Sequence, residues 1–213
     1  MYFTGKGDKG KTEVNKKKLE KNSFIFEVLG DLDELNSLIG LAKNYLPKNF
    51  FKKLTEIQND IFIIQANVAY YLLNISSNAA SENSTFYGKR QNGDTKFNLP
   101  DLKEERINSL EKEITEIERK IKSQKSFIIY GCDKDSAWFD YLRAIIRRVE
   151  RRLVEFYTRI KTNKKQIKTG KNNQGKSNFL NILRYINRLS SYFYALARFI
   201  CYNKKIKEES PWY

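Results

Sequence analysis

The sequence predicts an all-α protein, a five-helix up-and-down bundle of the ferritin-like or four-helix-bundle type. Two observations predict this class. The 213-residue chain has only three prolines, Pro47, Pro100 and Pro211, and between them apolar residues recur at steps of three or four instead of alternating. With a hydrophobic share of 40%, a chain of this length can bury a real core, so we expect residues 1–213 to form a single domain.

The first three helices follow from capping and periodicity. The first is expected to begin near Asp31, whose carboxylate can cap free amides together with Glu34, and to end before Pro47. The second is predicted from roughly Phe50 to Ile75, where one apolar stripe contains Leu54, Ile57, Ile61, Ile64, Val68 and Leu72. A third helix is indicated by a nearly heptad repeat of Ile107, Leu110, Ile114, Ile117 and Ile121.

The last two helices carry more than a core stripe. The fourth, from about Asp135 to Ile160, places Trp138, Leu142, Ile145, Val149, Leu153 and Phe156 toward the core. Away from that core face it carries a charged stripe, which we call the α4 stripe: Arg143, Arg147, Glu150 and Arg151. The fifth helix, about Phe179 to Tyr202, is apolar on two sides, and because one chain rarely covers both, we expect a subunit interface there.

Two segments lack helical periodicity and are predicted to be variable surface loops, residues 76–103 and 161–178. Ser76 to Pro100 is rich in Ser, Asn and Gly, whereas Lys161 to Ser177 holds six lysines and no acid. Such compositions are typical of flexible connections.

The composition limits the chemistry. A net charge of +15 implies an anionic partner such as nucleic acid, a lipid surface or a polyphosphate. The absence of histidine excludes His-based triads and His-ligated metal sites.

Cys132 and Cys201 lie far apart in sequence, so we expect neither a disulfide framework nor a thiolate metal site, and a reducing compartment fits best. Without an apolar run of about 18 residues or a signal peptide, we expect a soluble cytoplasmic protein.

The N-terminal segment Gly5 to Thr12 matches the letters of the P-loop pattern G-x-x-x-x-G-K-[ST]. A P-loop, however, sits between a buried strand and a helix, and here only four residues precede Gly5 while a lysine run follows. Three interpretations stay open: a nucleoside triphosphatase, a solvated basic tail, or a glycine-lysine loop that binds phosphate in another architecture.

Four segments taken in order resemble one family. Thr4 to Gly10 is similar to T-[KR]-T-G-D-K-G, and Gly30 to Gly40 is similar to G-T-x-D-E-L-N-S-x-I-G. Phe127 to Arg152 resembles F-[IV]-L-P-G-G…R-x-x-x-R-R-x-E-R-x, and Tyr185 to Ser190 resembles the start of Y-L-N-R-L-S-D. These are the motifs of the ATP:cob(I)alamin adenosyltransferases of the propanediol-utilisation type, and they cover nearly the whole chain.

The resemblance implies a trimer of five-helix subunits that binds ATP and the corrinoid between neighbouring subunits. It also implies a reaction in which the 5′-deoxyadenosyl group of ATP is transferred to cob(I)alamin, with Mg²⁺, giving adenosylcobalamin and triphosphate. Cobalt(I) is itself the nucleophile, so a protein without histidine can perform this reaction. Its task is to position the substrates and neutralise the leaving group.

Site residues follow from the same resemblance. In an ATP-binding loop at residues 1–22, the triphosphate would be held by Thr4, Gly5, Lys6, Gly7, Lys9, Thr12 and Lys21. Arg147, Glu150 and Arg151 would contact ATP from the fourth helix and Asn187 from the fifth. The alternative for the arginines is a solvated face with ion pairs. Asn187, lying among apolar residues, would in any case need a hydrogen-bond partner. No residue is assigned as a metal ligand.

Three further residues would act on the corrinoid side. Asp33 and Arg143 match a pair that forms a salt bridge between subunits in the family. Phe127 matches the aromatic that packs under the corrin and displaces the lower axial ligand; the alternative is ordinary core packing. The sequence departs from the family's pattern at several positions. Tyr130-Gly131-Cys132 replaces P-G-G, Asp140 replaces a histidine found in many members, Lys6 replaces threonine, Ser191 replaces aspartate, and Asn15 to Lys18 replaces a stretch of glycine and arginine.

Two other functions stay open, a basic helical nucleic-acid-binding protein and an ATP-binding family member with altered corrinoid specificity. Phe193 and Tyr194 fall at helical spacing, which favours core packing over base stacking. We expect the partners to be ATP and the corrinoid, further copies of the chain, a reductase and an adenosylcobalamin-dependent mutase, and neither nucleic acid nor membrane.

Overall fold

The computed structural model describes residues 3, 5, 7–14, 17–75, 100–121, 126–164 and 173–212. Within these ranges five α-helices follow a short antiparallel hairpin. The hairpin consists of β1 (Lys11–Val14) and β2 (Lys17–Glu20), and the helices are α1 (Phe24–Lys43), α2 (Phe51–Ile75), α3 (Glu104–Glu118), α4 (Lys134–Lys164) and α5 (Asn173–Asn203). The five-helix prediction is confirmed, but the all-α prediction overlooked the hairpin. Four-residue strands beside a lysine run give too short an alternation to detect.

The contacts between helices fix their directions. Asn36 pairs with Gln58 and Lys43 with Thr55, so α1 and α2 are antiparallel. The same reasoning from side-chain pairs along each interface makes α2 antiparallel to α3, α4 antiparallel to both α1 and α5, and α3 parallel to α5. Successive helices therefore alternate in direction, as an up-and-down bundle requires.

The start of α1 differs from the prediction. The helix begins at Phe24, with Ser23 as the extended residue before it. Asp31 lies inside the helix, with its carboxylate oxygens 3.6 Å from Arg148 Nε and 3.5 Å from Arg152 Nε. Val28 is fully buried, so the apolar stripe extends a full turn upstream of the expected cap. The carboxylate of Asp31 pairs across to α4 and does not cap a helix.

The core contains the predicted stripes. Within the described side chains of α2, every stripe residue from Leu54 to Val68 is buried, and on α4 the same holds from Leu142 to Phe156. Trp138 is only half-buried and stacks on Tyr45. The side chain of Leu72 lies outside the described residues, and Ile121 follows the end of α3.

Both sides of α5 are covered mostly by its own chain. Helices α3 and α4 both pack on α5, and Ala197, Cys201 and Leu189 are all buried. Leu180, which belongs to one of the two predicted apolar sides, is 49% exposed. Because the helices of one chain cover most of both sides, a two-sided α5 does not by itself indicate a subunit interface.

The second predicted loop is shorter than 161–178. Residues 161–164 continue α4, and 173–178 already belong to α5. Of the first loop, residues 76–99 lie outside the described part, and Pro100 to Lys103 lead into α3. None of the helices in the described ranges is long and apolar enough to cross a bilayer.

The two cysteines are joined, contrary to the prediction. Cys132 and Cys201 form a disulfide with a Cα–Cα distance of 6.5 Å although 69 positions separate them in the sequence. Cys132 lies two residues before the start of α4, and Cys201 lies in the last turn of α5. Because these helices are antiparallel, both cysteines come to the same end of the bundle. The reducing compartment was inferred from two unpaired cysteines, so the disulfide removes the reason for it.

Candidate functional site

Four arginines at the middle of α4 divide into two environments. Arg148 and Arg152 face α1, where their partners are Asp31, Glu34 and Glu27. Arg147 and Arg151 are exposed, and within the described part of the chain neither forms an ion pair or a side-chain hydrogen bond. The alternative of a solvated face held by ion pairs therefore describes the first two arginines and not the second two. Two uncompensated guanidinium groups one helical turn apart form a face suited to a polyanion.

Glu150 and Asn187 meet beside these arginines. The Asn187 amide donates to Glu150 Oε1 at 2.7 Å, and Arg188 donates to Asn187 Oδ1 at 2.9 Å. The partner that Asn187 needs is thus within the same chain, and it is another predicted site residue. The contact joins α4 to α5 and fixes the carboxylate next to Arg147 and Arg151.

The N-terminal loop is compact around Gly7. A Cβ atom at this position would lie 2.7 Å from Lys21 Nζ, so the absence of a side chain lets the Lys21 ammonium lie against the backbone. The loop is closed by two turns, Asp8 N to Gly5 O at 3.3 Å and Gly10 N to Gly7 O at 3.2 Å. The Lys21 backbone amide donates to Gly10 O at 2.9 Å. One lysine is therefore folded back onto a glycine-rich turn.

This loop continues into a strand, which rules out the P-loop interpretation. A P-loop leads from a strand into a helix N-terminus, whereas Lys11 here begins β1 and pairs with Glu20 of β2 at 3.0 Å. Lys9 is exposed and Thr12 half-buried on β1. Thr4 and Lys6 lie outside the described residues. Among the described residues no hydrogen bond or ion pair links the loop to the α4 stripe.

Asp33 and Arg143 do not pair within the chain. Asp33 is exposed on α1. Arg143 is half-buried, with its guanidinium 4.9 Å from the ring centre of Tyr130 and 5.9 Å from that of Tyr194. Arg143 Nε is buried without a hydrogen-bond partner among the described residues.

Phe127 is not a core residue. Its side chain is 77% exposed, whereas the next residue, Ile128, is 8% exposed and anchors the backbone. Phe127 belongs to an irregular stretch between α3 and α4, residues 126–132, which we call the Phe127 segment. Gly131 in this segment has φ +84, a conformation that favours glycine. This explains why glycine stands there although its neighbours depart from P-G-G.

Sequence reasoning missed a buried charged cluster beneath the Phe127 segment. Arg198 of α5 is 4% exposed; its Nη2 donates to Asp140 Oδ2 at 2.6 Å, and its Nη1 lies 2.7 Å from Glu208 Oε1. Burial raises the pKa of Asp140 and that of Glu208, while the Arg198 charge opposes both shifts. Asp140 stood out only as a departure from the family's pattern. No local pattern marked Arg198 or Glu208. The three residues meet only through the antiparallel packing of α4 on α5 and the return of the C-terminal segment, residues 204–212.

These features define a class: a helical-bundle protein with a cationic face for a phosphate-bearing ligand and, on a separate segment, an exposed aromatic ring. The sequence model of the family described as cobalamin adenosyltransferase matches residues 2–200. The chain therefore belongs to the cobalamin adenosyltransferase family.

Individual relatives agree with this assignment. A corrinoid adenosyltransferase of Bacillus subtilis is 29% identical over 203 residues, covering 93% of this chain and 85% of that protein. The corrinoid adenosyltransferase PduO of Salmonella typhimurium is 29% identical and covers 92% of this chain, which spans 48% of that longer protein.

A solved structure shares the fold. It is a Phe-to-Ala variant of a PduO-type ATP:corrinoid adenosyltransferase from Lactobacillus reuteri, complexed with cobalamin and ATP. It superposes with a TM-score of 0.72 at 24% identity and covers 99% of both chains. The predicted family and fold are thus confirmed.

Proposed function

We propose that this protein transfers the 5′-deoxyadenosyl group of ATP to the cobalt of a cob(I)alamin-type corrinoid, giving adenosylcobalamin and triphosphate. The electron pair of cobalt(I) attacks the ribose C5′, a cobalt–carbon bond forms, and the C5′–O bond breaks with its electrons leaving on triphosphate. The observation that carries the proposal is the exposed pair Arg147 and Arg151 without anionic partners in the described chain, in a member of this family.

The α4 stripe would stabilise the leaving group. Charge builds on the triphosphate as the C5′–O bond breaks, and fixed guanidinium groups aimed at that charge lower the barrier without reorganising. Glu150, held by Asn187, would orient either the nucleoside end of ATP or the Mg²⁺ ion. Lys21 and Lys9, with Thr4, Gly5, Lys6, Gly7 and Thr12, would hold the phosphates from the N-terminal side.

Mg²⁺ would accompany the triphosphate. This ion prefers oxygen ligands and is usually held by one or two carboxylates together with substrate phosphates. Glu150 fits this donor set, because Asn187 occupies only one of its two oxygens. The ion's contribution when bound is to neutralise phosphate charge.

Phe127 would contact the corrinoid. An exposed ring that excludes a ligand and water from one face of the corrin would favour four-coordinate cobalt, which accepts an electron more easily. We expect Phe127→Ala to lose the four-coordinate spectrum of bound cob(II)alamin. The control is Phe62→Ala, which removes a ring that is 60% exposed on α2 and should leave the spectrum unchanged. An unchanged spectrum in Phe127→Ala would remove this role.

We propose further that the working unit is a homotrimer in which Asp33 of one subunit pairs with Arg143 of the next. Both side chains lack an ion-pair partner within the described part of the chain, and Arg143 Nε is buried without a hydrogen-bond partner there. Charge reversal at either position should weaken the trimer in sedimentation equilibrium, and the double reversal should restore it. A monomer at micromolar concentration in the wild type would contradict the proposal.

The proposed reaction also needs partners. A reductase must supply the electron that makes cobalt(I), and an adenosylcobalamin-dependent mutase would consume the product. We place the reaction in the cytoplasm, which cell fractionation tests.

The function is tested by incubating the protein with ATP, Mg²⁺ and chemically reduced cobalamin and following the absorbance change that accompanies the cobalt–carbon bond. A nucleic-acid-binding protein with the same net charge would instead bind RNA or DNA with an affinity that falls steeply with salt. Phe193 is fully buried in the core, so it offers no stacking platform. Absence of the product together with tight, salt-sensitive nucleic-acid binding would overturn the proposed function.

A further inference from the structure

The Phe127 segment has no regular secondary structure of its own, yet several separate contacts hold it. Ile129 N donates to the Glu209 carbonyl at 2.8 Å, and Gly131 N donates to Asp140 Oδ2 at 3.2 Å. The first contact comes from the C-terminal segment and the second from α4. Two backbone amides of the segment, two residues apart, are therefore fixed by two different parts of the chain.

The C-terminal segment reaches this position through a reversal after α5. Lys205 has φ 56, and the Ile206 amide donates to Cys201 O at 2.9 Å. This geometry is typical of an α-helix that ends with one residue in the left-handed conformation. The chain then returns along the bundle end and brings Glu208 to Arg198 and Glu209 to Ile129. Glu208 and Glu209 lie beyond the range matched by the family model, 2–200.

Arg198 joins the two contacts. Its guanidinium binds two carboxylates. One is that of Asp140, which accepts a hydrogen bond from Gly131 N. The other is that of Glu208, the neighbour of Glu209, whose carbonyl accepts from Ile129 N. It also lies 5.8 Å from the ring centre of Tyr130, inside the segment. A buried charge that loses one partner is strongly destabilising, so the two carboxylates and the guanidinium hold each other in place.

We infer that Arg198 is a positioning residue: through Asp140 and Glu208 it fixes the backbone of the Phe127 segment so that the Phe127 ring stays exposed toward the corrinoid. The inference rests on the proposed function for the identity of the ligand. Arg198 is itself buried. It holds the backbone of the segment, and that backbone presents the ring.

The experiment compares Arg198→Met with the wild type, with Cys132 and Cys201 reduced so that only noncovalent contacts hold the segment. Hydrogen exchange of the peptide spanning residues 126–133 is measured by mass spectrometry without any ligand. We expect exchange to accelerate about tenfold, the effect of losing a hydrogen bond to a charged group. In turnover, the KM for the corrinoid should rise about tenfold while the KM for ATP changes less than about twofold.

Arg106→Met is the matched control. Arg106 donates to Asp60 at 2.8 Å, and Tyr185 donates to the same carboxylate at 2.7 Å, between α2, α3 and α5. Asp60 is 4% exposed, so this variant also takes the arginine away from a buried carboxylate. It should lower the melting temperature but leave exchange in 126–133 and the ratio of the two KM values unchanged.

Milder variants keep the inference testable if Arg198→Met does not fold. Asp140→Asn and Glu208→Gln each remove one charge and should each accelerate exchange. Arg198→Lys, which keeps the cation but reaches only one carboxylate, should be intermediate.

Unchanged exchange in folded Arg198→Met would overturn the inference. Equal rises in the KM for ATP and for the corrinoid would also overturn it, because the segment would then not serve the corrinoid specifically. A wild type without transferase activity would refute the proposed function instead, and the exchange measurement, which needs no corrinoid, would still decide whether Arg198 holds the segment.

Discussion

Replacing Arg147 by alanine separates a role in substrate binding from a role in the fold. Its guanidinium is exposed and forms no ion pair within the described part of the chain. Removing it should therefore change the free energy of unfolding by no more than about 0.5 kcal/mol, as is usual for exposed side chains. The proposed trimer should also persist.

The effect on transfer should be much larger. A hydrogen bond to a charged group contributes about 1.5 to 3 kcal/mol, and each 1.36 kcal/mol is tenfold in rate. If Arg147 stabilises the departing triphosphate, kcat/KM for ATP should fall by about 10- to 150-fold. The assay is the initial rate of adenosylcobalamin formation with ATP varied at saturating corrinoid.

Arg148→Ala is the control, because it removes the same side chain from the adjacent position. Arg148 pairs with Asp31 and Glu34 of α1, so its loss should cost up to about 1 kcal/mol of stability and leave kcat/KM within about threefold. Wild-type turnover in Arg147→Ala, or an equal loss in both variants, would refute the division of the arginines into two environments.

Two more changes test the loop and the packing. Gly7→Ala would place a Cβ atom 2.7 Å from Lys21 Nζ and displace that ammonium, so the KM for ATP should rise about fivefold, the effect of roughly 1 kcal/mol. A further rise when Gly7→Ala is added to Lys21→Ala would show that Lys21 is not the cause. Burial would raise the pKa of Glu113, but hydrogen bonds from Lys53 and Tyr192 lower it overall. Because the folded pKa is the lower one, this stabilisation is present above about pH 4.3 and is lost as pH falls through the folded value. The free energy of unfolding, measured with urea at a series of pH values, should therefore depend less on pH in Glu113→Gln than in the wild type. An equally steep dependence in the variant would show that Glu113 does not contribute to the acid sensitivity.

The helices could be predicted from the sequence because apolar residues recur at the helical period within each of them. The stripe from Leu54 to Val68 needs no knowledge of its neighbours, and its period sets the face that is buried. The start of α1 was wrong because Asp31 suits a cap equally well as a cross-helix ion pair. Only the position of α4 decides between the two.

Pairings between distant residues lay outside the reach of sequence reasoning. Arg147 and Arg148 are adjacent and chemically identical, and which of them faces α1 depends on how α4 is rotated against its neighbours. Cys132 with Cys201, and Arg198 with Glu208, meet because antiparallel helices and a reversed C-terminal segment bring remote positions together. The site residues themselves came from motif resemblance, and their roles remain predictions.

The most direct test of the proposed reaction is the fate of both halves of ATP in one reaction mixture. Adenosylcobalamin is quantified by absorbance and triphosphate by phosphorus NMR after incubation with ATP, Mg²⁺ and cob(I)alamin. We predict that the two products accumulate in equal amounts and that neither forms without the protein. Release of ADP and phosphate, or of triphosphate without a cobalt–carbon bond, would contradict adenosyl transfer as the function of this protein.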